Sequence, residues 1–263
     1  MWIGEVPVPL RSEVVGVAPP TPPPPFTEDL TSVLYWRFNE PVGSQQAVRE
    51  GPITNYYWIL NAWNGVLAPN GKVSGNCFYS LCEYAQTEFN GMALYGTFGG
   101  SYFLYQPDML PINGPFSVHC WVKPDSVSAS PLLYGLPAVN RMRWHLKYDA
   151  VGWEFAVFPD TNTPEPLRNN NVAPVIGTWY FLCVTWNPTT RLMTLRVNTT
   201  STSMTASAVP PAGESLYLGG LNTAYPPVTH FYMDALGVHI GVILSASDQD
   251  WLYNNGDGRD WWG

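Results

Sequence analysis

Residues 177–197, Gly-Thr-Trp-Tyr-Phe-Leu-Cys-Val-Thr-Trp-Asn-Pro-Thr-Thr-Arg-Leu-Met-Thr-Leu-Arg-Val, carry the clearest structural signal in the chain. Two runs rich in aromatic and β-branched residues, Trp179–Trp186 and Leu192–Val197, flank Asn187-Pro188-Thr189-Thr190-Arg191. Pro188 fixes φ and has no N–H to give a ladder, so Asn-Pro starts a turn. The flanking side chains suit a pleated surface better than a helix. The first run is apolar at nearly every position, as in a strand covered on both faces. The second alternates, with Leu192, Thr194 and Arg196 facing one way and Met193, Leu195 and Val197 the other. The pattern predicts a β-hairpin whose first strand lies deep in a sandwich and whose second lies nearer an edge.

Composition extends this reading to the rest of the 263 residues. Hydrophobic residues make up 46% of the chain and charged residues only 12%, which predicts a large core under a sparsely charged surface. With 12 Trp and 15 Tyr, there are more rings than a core of this size needs, so some are expected at contact surfaces. A net charge of −8 argues against general nucleic-acid or anionic-membrane binding. No apolar run approaches the ~20 residues that span a bilayer. Met1-Trp2-Ile3-Gly4-Glu5 lacks the basic and apolar regions of a secretory signal, so no export is expected. Cys120 and Cys183 fall in apolar runs and read as buried free thiols. Cys77 and Cys82 could bridge a short loop, although without export reduced thiols are favoured.

Turn signals every ten or so residues separate short strand patterns from Val33 to Ile243, which indicates an all-β sandwich. Phe116–Val122 is a strand, as are Arg141–Tyr148 and Trp153–Phe158, with a loop from there to Ile176. Ser245–Asn254 alone reads as a helix, with Ser245 and Asp248 spaced as a capping box. Residues 1–27 stand apart. Val6-Pro7-Val8-Pro9-Leu10 and Pro19-Pro20-Thr21-Pro22-Pro23-Pro24-Pro25 are unsuited to helix or central strand and predict an extended polyproline II arm. Val6, Val8, Leu10, Val14, Val15 and Val17, with Pro7 and Pro9, give that arm apolar area that a lone arm could not hide, so it is expected to dock on a partner subunit.

In this order the pieces resemble the laminin-G-like, concanavalin A-like jelly-roll family. Leu34-Tyr35-Trp36-Arg37-Phe38-Asn39-Glu40 is similar to the family's opening strand, and Gly71-Lys72-Val73-Ser74-Gly75-Asn76-Cys77 to its Gly-Lys segment. Gly114-Pro115-Phe116-Ser117-Val118-His119-Cys120-Trp121-Val122-Lys123-Pro124-Asp125 is similar to its most recognisable strand. Met233-Asp234-Ala235-Leu236-Gly237-Val238 and the ending Leu244 to Gly256 complete the set. One departure is Asn198-Thr199-Thr200, where the family usually turns through Asp-Gly; it also fits a glycosylation acceptor pattern, expected to be a chance match since no export is expected. The resemblance implies a two-sheet antiparallel jelly roll over residues 28–263, behind the arm of residues 1–27. It further implies glycan or protein binding, and it puts Asn39, Glu40 and Asp234 where jelly rolls can hold a structural calcium ion, the plainer reading of the three being a turn cap and a solvated carboxylate.

Candidate sites follow from residue types. A glycoside hydrolase needs two carboxylates facing one cleft. The Glu-x-Asp-x-x-Glu strand signature is absent, and Glu154 and Asp160 lack its alternation, so no catalysis is expected. Arg141, Arg143, His145 and Lys147 alternate along one strand. They would form a cationic row, either an ordinary solvated face or a docking surface for carboxylates of a partner or an acidic glycan. Trp121 and Trp179 are expected in the core, whereas Trp58, Trp63, Trp144, Trp153 and the terminal Trp261-Trp262 are free to contact sugars. The combined expectation is a non-enzymatic binding module of a larger assembly, forming homo-oligomers. The leading form is a phage virion surface protein (a head decoration or tail-fibre component assembled in the host cytoplasm) anchored by its arm. The alternative is a free glycan-binding lectin or adhesin.

Overall fold

In a computed structural model of the chain, the described residues are 33–36, 46–48, 59–61, 65–69, 72, 76–82, 114–128, 130–136, 143–159, 163–211, 215–218 and 229–259. Strands β1 (Val33–Trp36), β2 (Gln46–Val48), β3 (Ile59–Asn61), β4 (Gly65–Pro69) and β5 (Asn76–Cys82) precede the long β6 (Phe116–Pro124). Then come β7 (Ser130–Leu136), β8 (Trp144–Tyr148), β9 (Trp153–Val157), β10 (Glu165–Asn169), β11 (Tyr180–Asn187), β12 (Leu192–Val197), β13 (Thr200–Thr205), β14 (Ser215–Leu218) and β15 (Thr229–Ile240). Helix α1 (Ala246–Tyr253) follows, continued by a short 3-10 turn over Asn254–Gly256. Among the described residues no helix is long and apolar enough to cross a membrane.

The strands form the expected antiparallel sandwich. One sheet has the order β13-β12-β11-β6-β15-β5-β4, with β1 also paired to β15; the facing sheet has the order β10-β9-β8-β7-β14. The hairpin of residues 180–197 is β11 and β12. The Asn187 side chain accepts from the N–H groups of Thr189 and Thr190, which closes the Asn-Pro turn. As its composition predicts, β11 is interior, paired with β6 on one side and β12 on the other, and β12 is followed by the edge strand β13. The β12–β13 turn dispenses with Asp-Gly because Asn198 takes the left-handed conformation itself, at φ 53°. Its side chain also accepts from the Phe181 N–H.

Between the sheets lies an aromatic core. Trp144 and Phe155 of the smaller sheet meet Phe116 of the larger, and Trp153 packs on Tyr180 with ring centroids 5.0 Å apart. Met193, Leu195 and Val197 point into this core, matching the alternation in the sequence. Two expectations need correction. A strand, β10, occupies part of the segment read as a loop up to Ile176. Pro166 masks it in the sequence and is tolerated because β10 is an edge strand. Trp179 is half-buried, since it stands one residue before β11 and rests at the margin of a second cluster.

That second cluster covers the outer face of the large sheet. Trp121, Phe181, Cys183, Ala235, Leu244 and Leu252 form it, and α1 lies over them. The helix starts with the predicted capping box between Ser245 and Asp248, and Asn254 ends it in the left-handed region. Arg196, buried on β12, reaches Asp250 of the helix at 2.7 Å. Ser117 Oγ donates to the Val242 carbonyl and accepts from the Leu244 N–H, fixing the crossing from sheet to helix. Cys120 and Cys183 are buried free thiols; burial pushes the Cys183 thiol up to about 12. Cys77 and Cys82 both lie on the extended β5, so their Cα atoms stand about 16 Å apart, beyond the reach of a disulfide.

On the same outer face, His119 Nδ1 meets His239 Nε2 at 2.9 Å. Gly237 stands opposite His119, and a Cβ there would fall 2.1 Å from the imidazole Cε1, so only glycine leaves room for the ring. A bulge between Asp234 and Gly237 sets this register, with Ala235 at φ 49° and its N–H donating to Asp234 Oδ1 at 2.7 Å. Burial lowers the pKa of both rings, to about 3 for His239, so both are neutral at pH 7.

Candidate binding surfaces

Strand alternation on β8 turns Trp144, Leu146 and Tyr148 into the core and His145 and Lys147 onto the outer face of the smaller sheet. Register then assembles a charged row. Glu154 of β9 stands opposite Lys147 of β8, and Arg168 of β10 stands opposite Glu154. Glu154 Oε1 accepts from His145 Nε2 at 2.8 Å and lies 2.9 Å from Lys147 Nζ. Its Oε2 accepts from Arg168 Nε at 2.7 Å, while Arg168 also donates to Asp149 Oδ2 at 2.7 Å. A carboxylate only accepts, so the His145 proton sits on Nε2. At the hairpin between β8 and β9, Asp149 accepts from the N–H groups of Val151 and Gly152.

The electrostatics follow from these partners. Burial on its own would raise the pKa of Glu154, which is 5% exposed. The hydrogen bonds from His145 and Lys147, and the charges behind them, overcome burial and hold its carboxyl at about 2. Asp149 is likewise held below the usual carboxylate range, with its two backbone donors and Arg168 outweighing burial. Burial lowers the His145 pKa, an effect that Glu154 partly offsets. Both carboxylates are therefore ionised at neutral pH and saturated by donors.

The structure revises the cationic row. Arg143 is buried, at 8% exposure, and Lys147 is engaged with Glu154, so neither offers an open dock for a partner's carboxylate. Arg141 lies outside the described residues. Trp144 and Trp153 are wholly buried between the sheets and cannot stack on a sugar. Both occupy inward positions of β8 and β9, a face that the second sheet covers. Trp121 is in the core, as expected. Trp58, Trp63, Trp261 and Trp262 lie outside the described residues, as do Asn39, Glu40 and the arm residues Val6, Pro7, Val8, Pro9, Leu10, Val14, Val15 and Val17. Asp234, the described member of the expected calcium set, is fully buried beside the bulge. Among the described residues no cluster of three or more His, Cys, Asp or Glu side chains could hold a metal ion. Sequence reasoning missed Arg168 altogether, because its strand was read as loop; Glu165–Asn169 holds a single aliphatic, Leu167, besides Pro166, so no alternation marks it as a strand.

A second surface lies where β6 ends and β11 begins. Lys123 Nζ sits 5.1 Å from the Trp179 ring centroid and 3.9 Å from that of Tyr232, which is opposite Lys123 in register. Beside them a tight turn presents Val175 and Ile176, each 55% exposed. Gly177, at φ 79°, allows the turn; its N–H donates to the Pro124 carbonyl, and the Thr178 N–H donates to that of Val175. The Tyr180 hydroxyl accepts from the Val175 N–H and donates to the Ala173 carbonyl. Two aliphatic side chains are thus held out in water by a well-bonded turn, beside a half-buried tryptophan.

Comparison with known proteins agrees with this architecture. The family model of the concanavalin A-like lectin/glucanases superfamily, Laminin_G_3, matches residues 97–246, more than half of the chain. No curated protein matches it in sequence. The binding domain of botulinum neurotoxin DC in complex with rat synaptotagmin II is similar with a TM-score of 0.59 at 11% identity, covering 86% of this chain and 52% of that one. The ligand-binding domain of botulinum neurotoxin serotype D in complex with N-acetylneuraminic acid gives 0.59 at 14% identity, with 85% and 51% covered. The serotype G binding domain gives 0.57 at 12%, with 84% and 50% covered. The chain spans about half the length of these structures, and at such identities the likeness is one of fold. With two antiparallel sheets, a closing helix and a family match over more than half its length, the chain belongs to the concanavalin A-like lectin/glucanases superfamily.

Proposed function

We propose that this chain is a non-enzymatic binding module of a larger assembly, anchored through residues 1–27 and exposed on a virion surface. The observation that carries the binding role is the turn holding Val175 and Ile176 in water beside Trp179, Lys123 and Tyr232. Exposed aliphatic side chains held together by a bonded turn beside an aromatic ring are the kind of surface that a partner covers. Neither Glu154 nor Asp149 suits the general-acid role of a glucanase. A general acid needs a raised pKa, and both carboxyls are held low by donors. The apolar, Pro-rich composition of the arm supports anchoring, since it can contribute several kcal/mol on burial at ~25 cal/mol per Å² before ordering costs. Calcium at Asn39, Glu40 and Asp234 would serve as a structural ion only.

The test keeps the whole chain and replaces Val6, Val8, Leu10, Val14, Val15 and Val17 by Ser. Pull-down or particle-binding assays should lose attachment while the thermal midpoint stays in place. Undiminished attachment makes the arm a passive linker and overturns the reading.

Membership of a lectin superfamily favours a second reading, a free glycan-binding module, and one of the similar neurotoxin domains was solved with N-acetylneuraminic acid. Trp58 and Trp63 remain its candidate stacking rings. A glycan array on the intact chain separates the two readings. Saturable binding to one sugar class, unaffected by the arm substitutions, supports the lectin.

A further inference from the structure

We infer that the outer edge of β13 is a self-association edge, to which a second copy of this chain adds its own β13, antiparallel, about a two-fold axis at Ser203. This is separate from the anchoring role given above to residues 1–27.

Register decides which groups face that edge. Val197 pairs with Thr200 across the turn Asn198-Thr199, so Thr200, Thr202 and Met204 exchange hydrogen bonds with β12. The Ala206 N–H keeps this phase, donating to the Arg191 carbonyl at 2.8 Å. Ser201, Ser203 and Thr205 therefore turn their N–H and C=O groups away from β12, and their side chains are exposed. Among the described residues no strand pairs with β13 on that side. Edge strands are normally blunted by charge, proline or a bulge. The edge strand of the facing sheet, β10, carries Pro166 and Arg168. By contrast, Thr-Ser-Thr-Ser-Met-Thr of β13 has neither charge nor proline, and its register with β12 is unbroken.

What bounds the open stretch selects a second copy as its occupant. Past the end of the strand, at Ser207, both outward groups are taken: Glu165 Oε2 accepts from the N–H at 2.7 Å, and Arg191 donates to the carbonyl. A long strand laid along β13 would run into these side chains. Another β13 would not, because its chain turns away at Thr199, and Thr199 and Ser207 are equally far from Ser203 along the sequence. Rotation about Ser203 sets each copy's turn against the other's capped end. Ser203 then faces its own counterpart and Ser201 faces Thr205, which makes about six main-chain hydrogen bonds with no like charges opposed. On the outer sheet face Thr185 Oγ1 and Thr194 Oγ1 meet at 2.7 Å, and Ser203 stands opposite Thr194. The axis thus prolongs a row of hydroxyls from one large sheet into the other.

Analytical ultracentrifugation of the full chain tests this. The unsubstituted chain should dimerise. Ser203→Lys and Ser203→Asp each set like charges across the axis and should weaken the dimer about tenfold or more, and mixing the two variants should restore it. Position 203 is exposed and its N–H lies outside the β12 ladder, so both variants should keep the folded circular dichroism spectrum. A monomeric unsubstituted chain, a dimer indifferent to both charges, or a mixture that stays monomeric each overturns the assignment. Amide exchange on the unsubstituted chain needs no variant: the N–H groups of Ser201, Ser203 and Thr205 should be protected, and the protection should fall on dilution. Fast exchange at high concentration overturns the proposal, as does protection that persists in the diluted monomer, where another segment of the chain would be covering the edge. Serine substitution of the arm valines and Leu10 should leave the dimer intact, whatever it does to anchoring. A dimer lost with those substitutions would put the contact on the arm and overturn this edge.

Discussion

Acidification should begin to destabilise this protein before most of its carboxylates titrate, because of the His119–His239 pair. Both rings are buried against the outer face of the large sheet, 2.9 Å apart. Burial keeps both folded-state pKa values below the ordinary 6.5, with His239 at about 3. The neighbouring His239 lowers His119 further, and Asp248 only partly offsets the burial of His239. As pH falls through 6.5, the unfolded chain takes up protons that the folded chain refuses. Stability is therefore full above pH 6.5 and is lost below it. At pH 5 His239 alone should cost about 2 kcal/mol, a sizeable part of ordinary domain stability, and His119 adds to the loss in the same direction. Glu154 is silent in this window, because its carboxyl is held at about 2 against an ordinary 4.5; its contribution is lost only as pH falls below that ordinary value. His145 acts in the same direction as the pair, less strongly because Glu154 offsets its burial. Urea unfolding followed by tryptophan fluorescence at pH 7.5, 6.5, 5.5 and 5.0 measures the loss. His239→Gln should reduce the slope by about 1.4 kcal/mol per pH unit. A midpoint that stays level from pH 7.5 to 5.0, or an unchanged slope in the variant, would refute the reasoning.

Other perturbations separate the remaining assignments. Trp153→Ala should cost ~3–5 kcal/mol in urea unfolding, whereas Trp179→Ala, at a half-buried site, should cost about 1–2 kcal/mol; equal losses would contradict the burial difference. Glu154→Gln should destabilise by roughly 3 kcal/mol, the low end for a broken buried ion pair, because Lys147 and Arg168 keep some contact with water. A neutral effect in thermal unfolding would mean the row contributes no net stability. If Asn39, Glu40 and Asp234 hold calcium, a chelator lowers the thermal midpoint and added calcium restores it; a midpoint indifferent to both removes the site.

Local physics determined a good deal of this protein from the sequence alone. The Asn187-Pro188 turn, the alternation from Leu192 to Val197 and the capping box of Ser245 with Asp248 all depend on residues close along the chain, and each appears in the structure as read. The alternation on β8 was also legible, with Trp144, Leu146 and Tyr148 on one side and His145 and Lys147 on the other. Which side faced water was not. Strand period places side chains on two faces, but only the second sheet decides which face it covers, and so Trp144 and Trp153 became core rather than contacts. The charged row needed register as well. Lys147, Glu154 and Arg168 come from three strands, and their meeting depends on pairings that no local pattern encodes. Pro166 concealed one of those strands because a proline forbidden in a central strand is harmless at an edge. The turn at Val175 and Ile176 likewise took its character from afar, through the Pro124 carbonyl and the Tyr180 hydroxyl that hold its apolar tip in water.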